Sequence, residues 1–135
     1  MNGKRAEMNV SKKQMKILKK SQRGEADAVW MYRRLALRVP GKDGMAFLRL
    51  ANDEKRHEEI FYKYTGKRLR ANPMKAFAVP LMYRLLGKEK VYPIIAKGEY
   101  AAAEKYKHII ADFPEVERVM NDEKFHGDAV MNLLE

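Results

Sequence analysis

The 135-residue sequence contains no cysteine. This excludes disulfides, zinc–thiolate sites, iron–sulfur clusters and any rubredoxin-like centre, all of which need thiolate sulfur. Nor is there an apolar run approaching the ~20 residues that span a bilayer. The first residues, Met-Asn-Gly-Lys-Arg, lead into a charged segment and not into the apolar core of a secretory leader. These absences lead to the expectation of a soluble, cytoplasmic chain, or one attached peripherally to a membrane surface.

Acidic residues are scarce in two places. Residues 1–23 carry eight Lys/Arg against one acid, and residues 66–97 again carry eight against one. The net charge of +10 therefore sits on an N-terminal arm and a central connection, while residues 98–135 are net −5. Such basic segments suit an anionic membrane surface better than nucleic acid here, and more often they are simply solvated faces.

What the chain has is a repeat. Residues 52–57 read Asn-Asp-Glu-Lys-Arg-His and residues 121–126 read Asn-Asp-Glu-Lys-Phe-His, matching at five of six positions. A second pair precedes them: Gly24-Glu25-x-x-Ala28-x-x-x-Tyr32 matches Gly98-Glu99-x-x-Ala102-x-x-x-Tyr106, each after a basic residue, Arg23 or Lys97. The chain is a duplicated unit, one glutamate helix followed by one Glu-x-x-His helix.

The hydrophobic spacing predicts an all-α fold in a single domain over residues 1–135, with a flexible start at 1–10. Ser11 and Gln14 have capping-box spacing, so a first helix begins near Lys12. Its seam runs Met15, Leu18, Gln22, Glu25, Val29, Tyr32, Ala36, Val39 at 3-4 spacing. Turn-formers at 40–44 break it. A second helix, about 44–65, aligns Phe47, Leu50, Glu54, His57, Phe61 and Tyr64, and Gly66 ends it. Residues 74–96, which contain Pro80 and Pro93, read as a kinked helical crossover, long enough at ~1.5 Å per residue to cross a bundle. A third helix at about 92–112 aligns Tyr92, Ile95, Glu99, Ala102, Tyr106, Ile109 and Phe113. A fourth at about 114–134 aligns Val116, Val119, Glu123, His126, Val130 and Leu133. The expected architecture is a four-helix bundle with a long, partly helical crossover between helices 2 and 3.

All four seams carry charge where apolar residues belong. Burying four carboxylates and two imidazoles is costly unless they coordinate a metal or are paired, and the basic residues lie elsewhere. Glutamate and histidine three apart in a helix share one face and can reach one ion. Two divalent cations would balance four carboxylates. Glu25, Glu54, His57, Glu99, Glu123 and His126 are therefore the candidate ligands of two divalent metal ions; the set resembles a di-iron carboxylate site, which implies iron first, with manganese or zinc as alternatives. Asp53 and Asp122 are candidate outer partners, in a crossed pairing of Asp122 with His57 and Asp53 with His126. Tyr32 and Tyr106 lie two turns beyond their glutamates as redox-accessible groups, carboxylate hydrogen-bond donors or core filler. His108 lies off the seam.

These motifs resemble the rubrerythrin branch of the ferritin-like superfamily, over nearly the whole chain from about Lys12 to Leu134. The stretch Tyr62-Lys63-Tyr64-Thr65-Gly66-Lys67 looks most like the rubrerythrin-type domain fused ahead of vacuolar iron transporter-like membrane domains. The resemblance implies two irons bridged by Glu54 and Glu123, with Glu25 and His57 completing one and Glu99 and His126 the other. Two departures stand out: Ala102 replaces a further glutamate usual in peroxidase rubrerythrins, and the cysteine-ligated rubredoxin domain is absent. Since no membrane segment follows Glu135, the fusion resemblance would make the chain a stand-alone relative or a fragment.

The expected activity is oxidation of Fe(II), or reduction of peroxide or O2, at the di-iron site, with Glu54, Glu123, Tyr32 and Tyr106 as catalytic residues. O2 or H2O2 and an external electron donor are the expected partners, and the subunit is expected to form a homodimer. A non-catalytic module delivering iron to a membrane transporter or protein partner is the second class. A di-iron hydroxylase resembling demethoxyubiquinone hydroxylase is the third.

Overall fold

The computed structural model describes residues 10–135, so residues 1–9 of the expected flexible start lie outside the described residues. The described residues form five helices and no strand: α1 Lys12–Arg38, α2 Gly41–Thr65, α3 Pro73–Leu86, α4 Lys88–Tyr106 and α5 Val116–Asn132. The all-α class follows from the seams, and contacts divide the chain into two compact units, one ending at Phe77 and one spanning Ala78–Glu135. The boundary falls between the two copies of the repeat. Each unit thus owns one glutamate helix and one Glu-x-x-His helix.

In the first unit, α1 starts where its capping box requires. The Ser11 hydroxyl accepts from the Gln14 amide while the Gln14 side chain accepts from the Ser11 amide. Its seam is buried at Leu18, Gln22, Glu25, Val29, Tyr32 and Val39, and it packs against α2, whose six seam residues from Phe47 to Tyr64 are all buried. The break between them is tighter than the turn-formers suggest. Pro40 is the N-cap of α2, Gly41 takes a φ of +68°, and Asp43 and Gly44 already lie inside the helix. Gly44 permits this, because a Cβ there would overlap the Val39 carbonyl oxygen and crowd that of Ala36. Gly66, in the left-handed region at φ 70°, closes α2 by donating to Tyr62 O.

Gln22 ties the two helices together at that end. Its Nε2 donates to Lys67 O at 2.7 Å, and its Oε1 accepts from Thr65 Oγ1 at 2.5 Å, all with Gln22 fully buried. Asn72 then starts α3: its side chain accepts from the Met74 amide at 2.9 Å, its amide donates to Asp27, and Pro73 takes the first helical position.

The crossover is shorter than the sequence suggests. α3 has 14 residues, roughly 21 Å at the α-helical rise, with Pro80 inside it. Gly87, at φ 80°, separates it from α4, which begins at Lys88 and not at 92. Pro93 is tolerated inside α4 because it deprives only the first-turn carbonyl of Glu89, an exposed residue, of its helical donor. α4 also ends early, at Tyr106. His108 and Ile109 bond to Lys105 and Tyr106 in the tighter three-residue pattern, so 107–112 is a series of turns. In the same way Val116 and Glu117 bond back to Phe113 and Pro114, and α5 begins at Val116, two residues later than expected.

In the second unit α4 packs on α5 with Tyr92, Ile95, Ala103 and Tyr106 buried on one helix and Val116, Val119 and Val130 on the other. Tyr83 of α3 stacks on Tyr92 at 6.3 Å. Tyr100 crosses α5 at Gly127, where any Cβ would meet its ring, and donates to Asp128 at 2.5 Å.

Candidate metal centre

Glu25, one turn beyond Gln22 in the α1 seam, faces the same helix, α2, that carries Glu54 and His57. Packing of the two seams places His57 Nδ1 3.2 Å from Glu25 Oε1 and 2.9 Å from Glu54 Oε1. All three residues are almost fully buried. One ligand atom from each lies within 4.8 Å of the others, a spacing that a single ion can span.

The second unit builds the same triad from the second copy of the repeat. His126 Nδ1 is 3.1 Å from Glu123 Oε1 and 3.6 Å from Glu99 Oε2, with all three residues buried and one ligand atom from each within 4.8 Å. The six expected ligands are thus gathered as two triads, each of two carboxylates and one imidazole.

Electrostatics decide what each triad can hold. Two buried carboxylates leave a charge of −2 that a single imidazolium halves and a divalent cation cancels. Burial alone would lower the pKa of His126, but the adjoining Glu123 and Glu99 carboxylates outweigh it and raise the pKa from 6.5 to about 9. The imidazole holds a proton where a cation would otherwise balance the acids. Hard carboxylate oxygens with one borderline nitrogen per triad fit Fe(II), Mn(II) or Zn(II), and the lack of thiolate disfavours softer ions. These residues can hold a metal.

The remaining sequence candidates are placed as follows. Tyr32 is fully buried and stacks on Phe47 at 5.8 Å with 15° between the rings. Tyr106 is buried in the core of the second unit. Asp53 is half-buried and pairs with Arg56 on the same helix. Asp122 is half-buried and His108 is exposed. Two residues to which the sequence pattern assigned no role carry structure around the first triad. Gln22 holds α1 in register, and the buried Glu58, next to His57, pairs with Lys55 at 3.2 Å. Gln22 was legible as a polar residue at an apolar position, whereas Glu58 lies outside the seam and gave no signal.

A family model described as Rubrerythrin matches residues 16–134. No curated protein and no solved structure matches the chain. The matched span begins on α1, ends beyond α5 and contains both triads.

Proposed function

We propose that this chain, which belongs to the rubrerythrin family, is a di-iron oxidoreductase that oxidises Fe(II) or reduces peroxide or O2 in iron handling or oxidative-stress defence. The observation that carries the reading is the duplication of one buried Glu/Glu/His triad, each with the charge and donor set for one divalent cation. In this proposal Glu25 and His57 would hold one iron, Glu99 and His126 the other, and Glu54 and Glu123 would supply the remaining carboxylates. Bound as a ferrous pair, the metals would supply the two electrons that convert peroxide to water.

The protein's own residues set the conditions. Glu25 and Glu54 fix the orientation of the His57 ring, as Glu99 and Glu123 fix that of His126, so the imidazole nitrogens are positioned before metal arrives. Packing of both triads out of contact with solvent keeps water from competing for the carboxylates. In the crossed pairing, Asp122 would take the other ring N–H of His57 and Asp53 that of His126. Asp53→Ala and Asp122→Ala would then each weaken iron binding by roughly 10–100-fold. Wild-type affinity in both would discard the pairing. Tyr32 and Tyr106 serve as redox-accessible or hydrogen-bonding neighbours of the site.

A second reading, a module that delivers iron to a membrane transporter or protein partner, is favoured by one observation. Met74, Phe77, Leu81, Leu85 and Leu86 all expose half or more of their surface along α3, beside Lys75 and Arg84. No helix among the described residues is long and apolar enough to cross a membrane, so a membrane role would be peripheral. The same apolar row would serve a homodimer contact.

Anaerobic Fe(II) titration of the metal-free protein, followed by O2 and then H2O2 with near-ultraviolet absorbance recorded, separates the readings. Two irons per chain and an oxo-bridged diferric band, both lost in Glu54→Ala and Glu123→Ala, are expected. Two irons bound with oxidation by neither oxidant would favour delivery, and no binding would refute both.

A further inference from the structure

A cavity of about 590 Å³ opens on the first unit, between α1, α2 and the chain around the start of α3. It is not one of the metal triads, although Ala26 and Glu58 in its wall are sequence neighbours of Glu25 and His57. Its volume lies in the range of small-molecule sites, about 300–1,000 Å³.

The lining combines two features seldom left exposed together. Trp30 and Phe77 present aromatic surface, each about half exposed, and the Arg34 guanidinium carbon lies over the Phe77 ring, 4.1 Å from its centroid. Around them stand Arg33 and Arg70, with Arg34 between them and Phe77. Lys55 is neutralised by Glu58, but none of the three guanidiniums has a carboxylate partner among the described residues. The cavity therefore carries an excess of about three positive charges beside flat apolar walls. Guanidiniums pair with phosphate in planar, two-pronged geometry and stack on aromatic faces.

We propose that this cavity binds an organic phosphate with a flat aromatic body, the ring system lying against Trp30 and Phe77 and the phosphate held by Arg33, Arg34 and Arg70. An acyl chain would use the apolar wall but would leave the planar surfaces and two of the three guanidiniums unmatched. The proposal is independent of the metal reading, since no metal ligand lines the cavity.

Trp30 is the only tryptophan in the sequence, so its emission reports on this cavity alone. Full-length protein would be titrated with flavin mononucleotide, with riboflavin, which has the same ring without the phosphate, and with dodecanoate. Binding would be read by absorbance-corrected Trp30 emission and by anisotropy of the flavin. Saturable binding of the mononucleotide in both readouts is expected, with riboflavin at least tenfold weaker. Arg70→Ala, at an exposed site outside the helices, should weaken the mononucleotide severalfold, and Arg33→Ala/Arg70→Ala tenfold or more, with riboflavin unchanged and the melting temperature preserved. Equal affinity for the two flavins, anisotropy change without a Trp30 response, or saturation by dodecanoate alone would each overturn the proposal.

Discussion

Glu25 and His57 are separated by 32 positions in the sequence, yet Glu25 Oε1 and His57 Nδ1 lie 3.2 Å apart, with both side chains only 2% exposed. Two polar groups are buried together here because each occupies the apolar seam of its helix, so that packing α1 on α2 necessarily brings them face to face.

If each triad holds one ion, then Glu25→Ala should reduce bound iron from two per chain to about one, and Glu99→Ala should do the same through the other unit. Metal analysis after gel filtration checks this. Loss of both ions from either variant would mean that the triads do not bind separately.

The raised pKa of His126 makes the metal-free protein sensitive to alkaline pH. A group whose folded pKa, about 9, exceeds its unfolded value near 6.5 stabilises the fold fully below the unfolded value. That contribution disappears as pH rises through the folded value. Metal-free protein should therefore lose stability, on the order of 3 kcal/mol, between pH 6.5 and 9.5. Denaturation midpoints across that range would show it, and His126→Gln should flatten the slope.

Two glycines should respond oppositely to the same change. Gly44→Ala places a Cβ against the Val39 and Ala36 carbonyls and should destabilise the protein by about 1–3 kcal/mol. Gly24 lies within α1, and nothing stands within 4 Å of where its Cβ would lie. It should tolerate alanine and gain up to about 1 kcal/mol of helix propensity. Thermal melts of both variants decide the point.

Gln22→Ala removes the acceptor of the Thr65 hydroxyl and the donor to Lys67 O. Taking Gln22 away from the buried Thr65 hydroxyl and the partly buried Lys67 carbonyl should cost about 1–3 kcal/mol. Iron affinity should also fall, because Glu25 lies one turn along the same helix. Gln22→Glu should not restore it, since the carboxylate cannot donate to a carbonyl.

Much of this was legible in the sequence because a seam is a one-dimensional pattern. Glu54 and His57 recur at the spacing of their apolar neighbours Leu50 and Phe61, and all are buried as that spacing requires. The capping box at Ser11 was equally plain, since its partners are three residues apart. Boundaries were less so. Gly41-Lys42-Asp43-Gly44 has turn composition, but the close passage of the Val39 carbonyl past Gly44 makes it the first turn of α2. Likewise Pro93 reads with Pro80 as part of a kinked crossover, whereas α4 accommodates it six residues in.

The sequence by itself determined the helical class, the duplication and the six buried donor residues, because periodicity and repeated motifs depend only on neighbours along the chain. Tertiary structure alone decided how Glu25 meets His57 and Glu99 meets His126, that Gln22 locks α1 to the end of α2, and that Trp30, Arg34 and Phe77 border one cavity. Those relationships depend on how one helix face is rotated and offset against another, and on the path of the connections between them. Packing fixes both, and no local pattern encodes them.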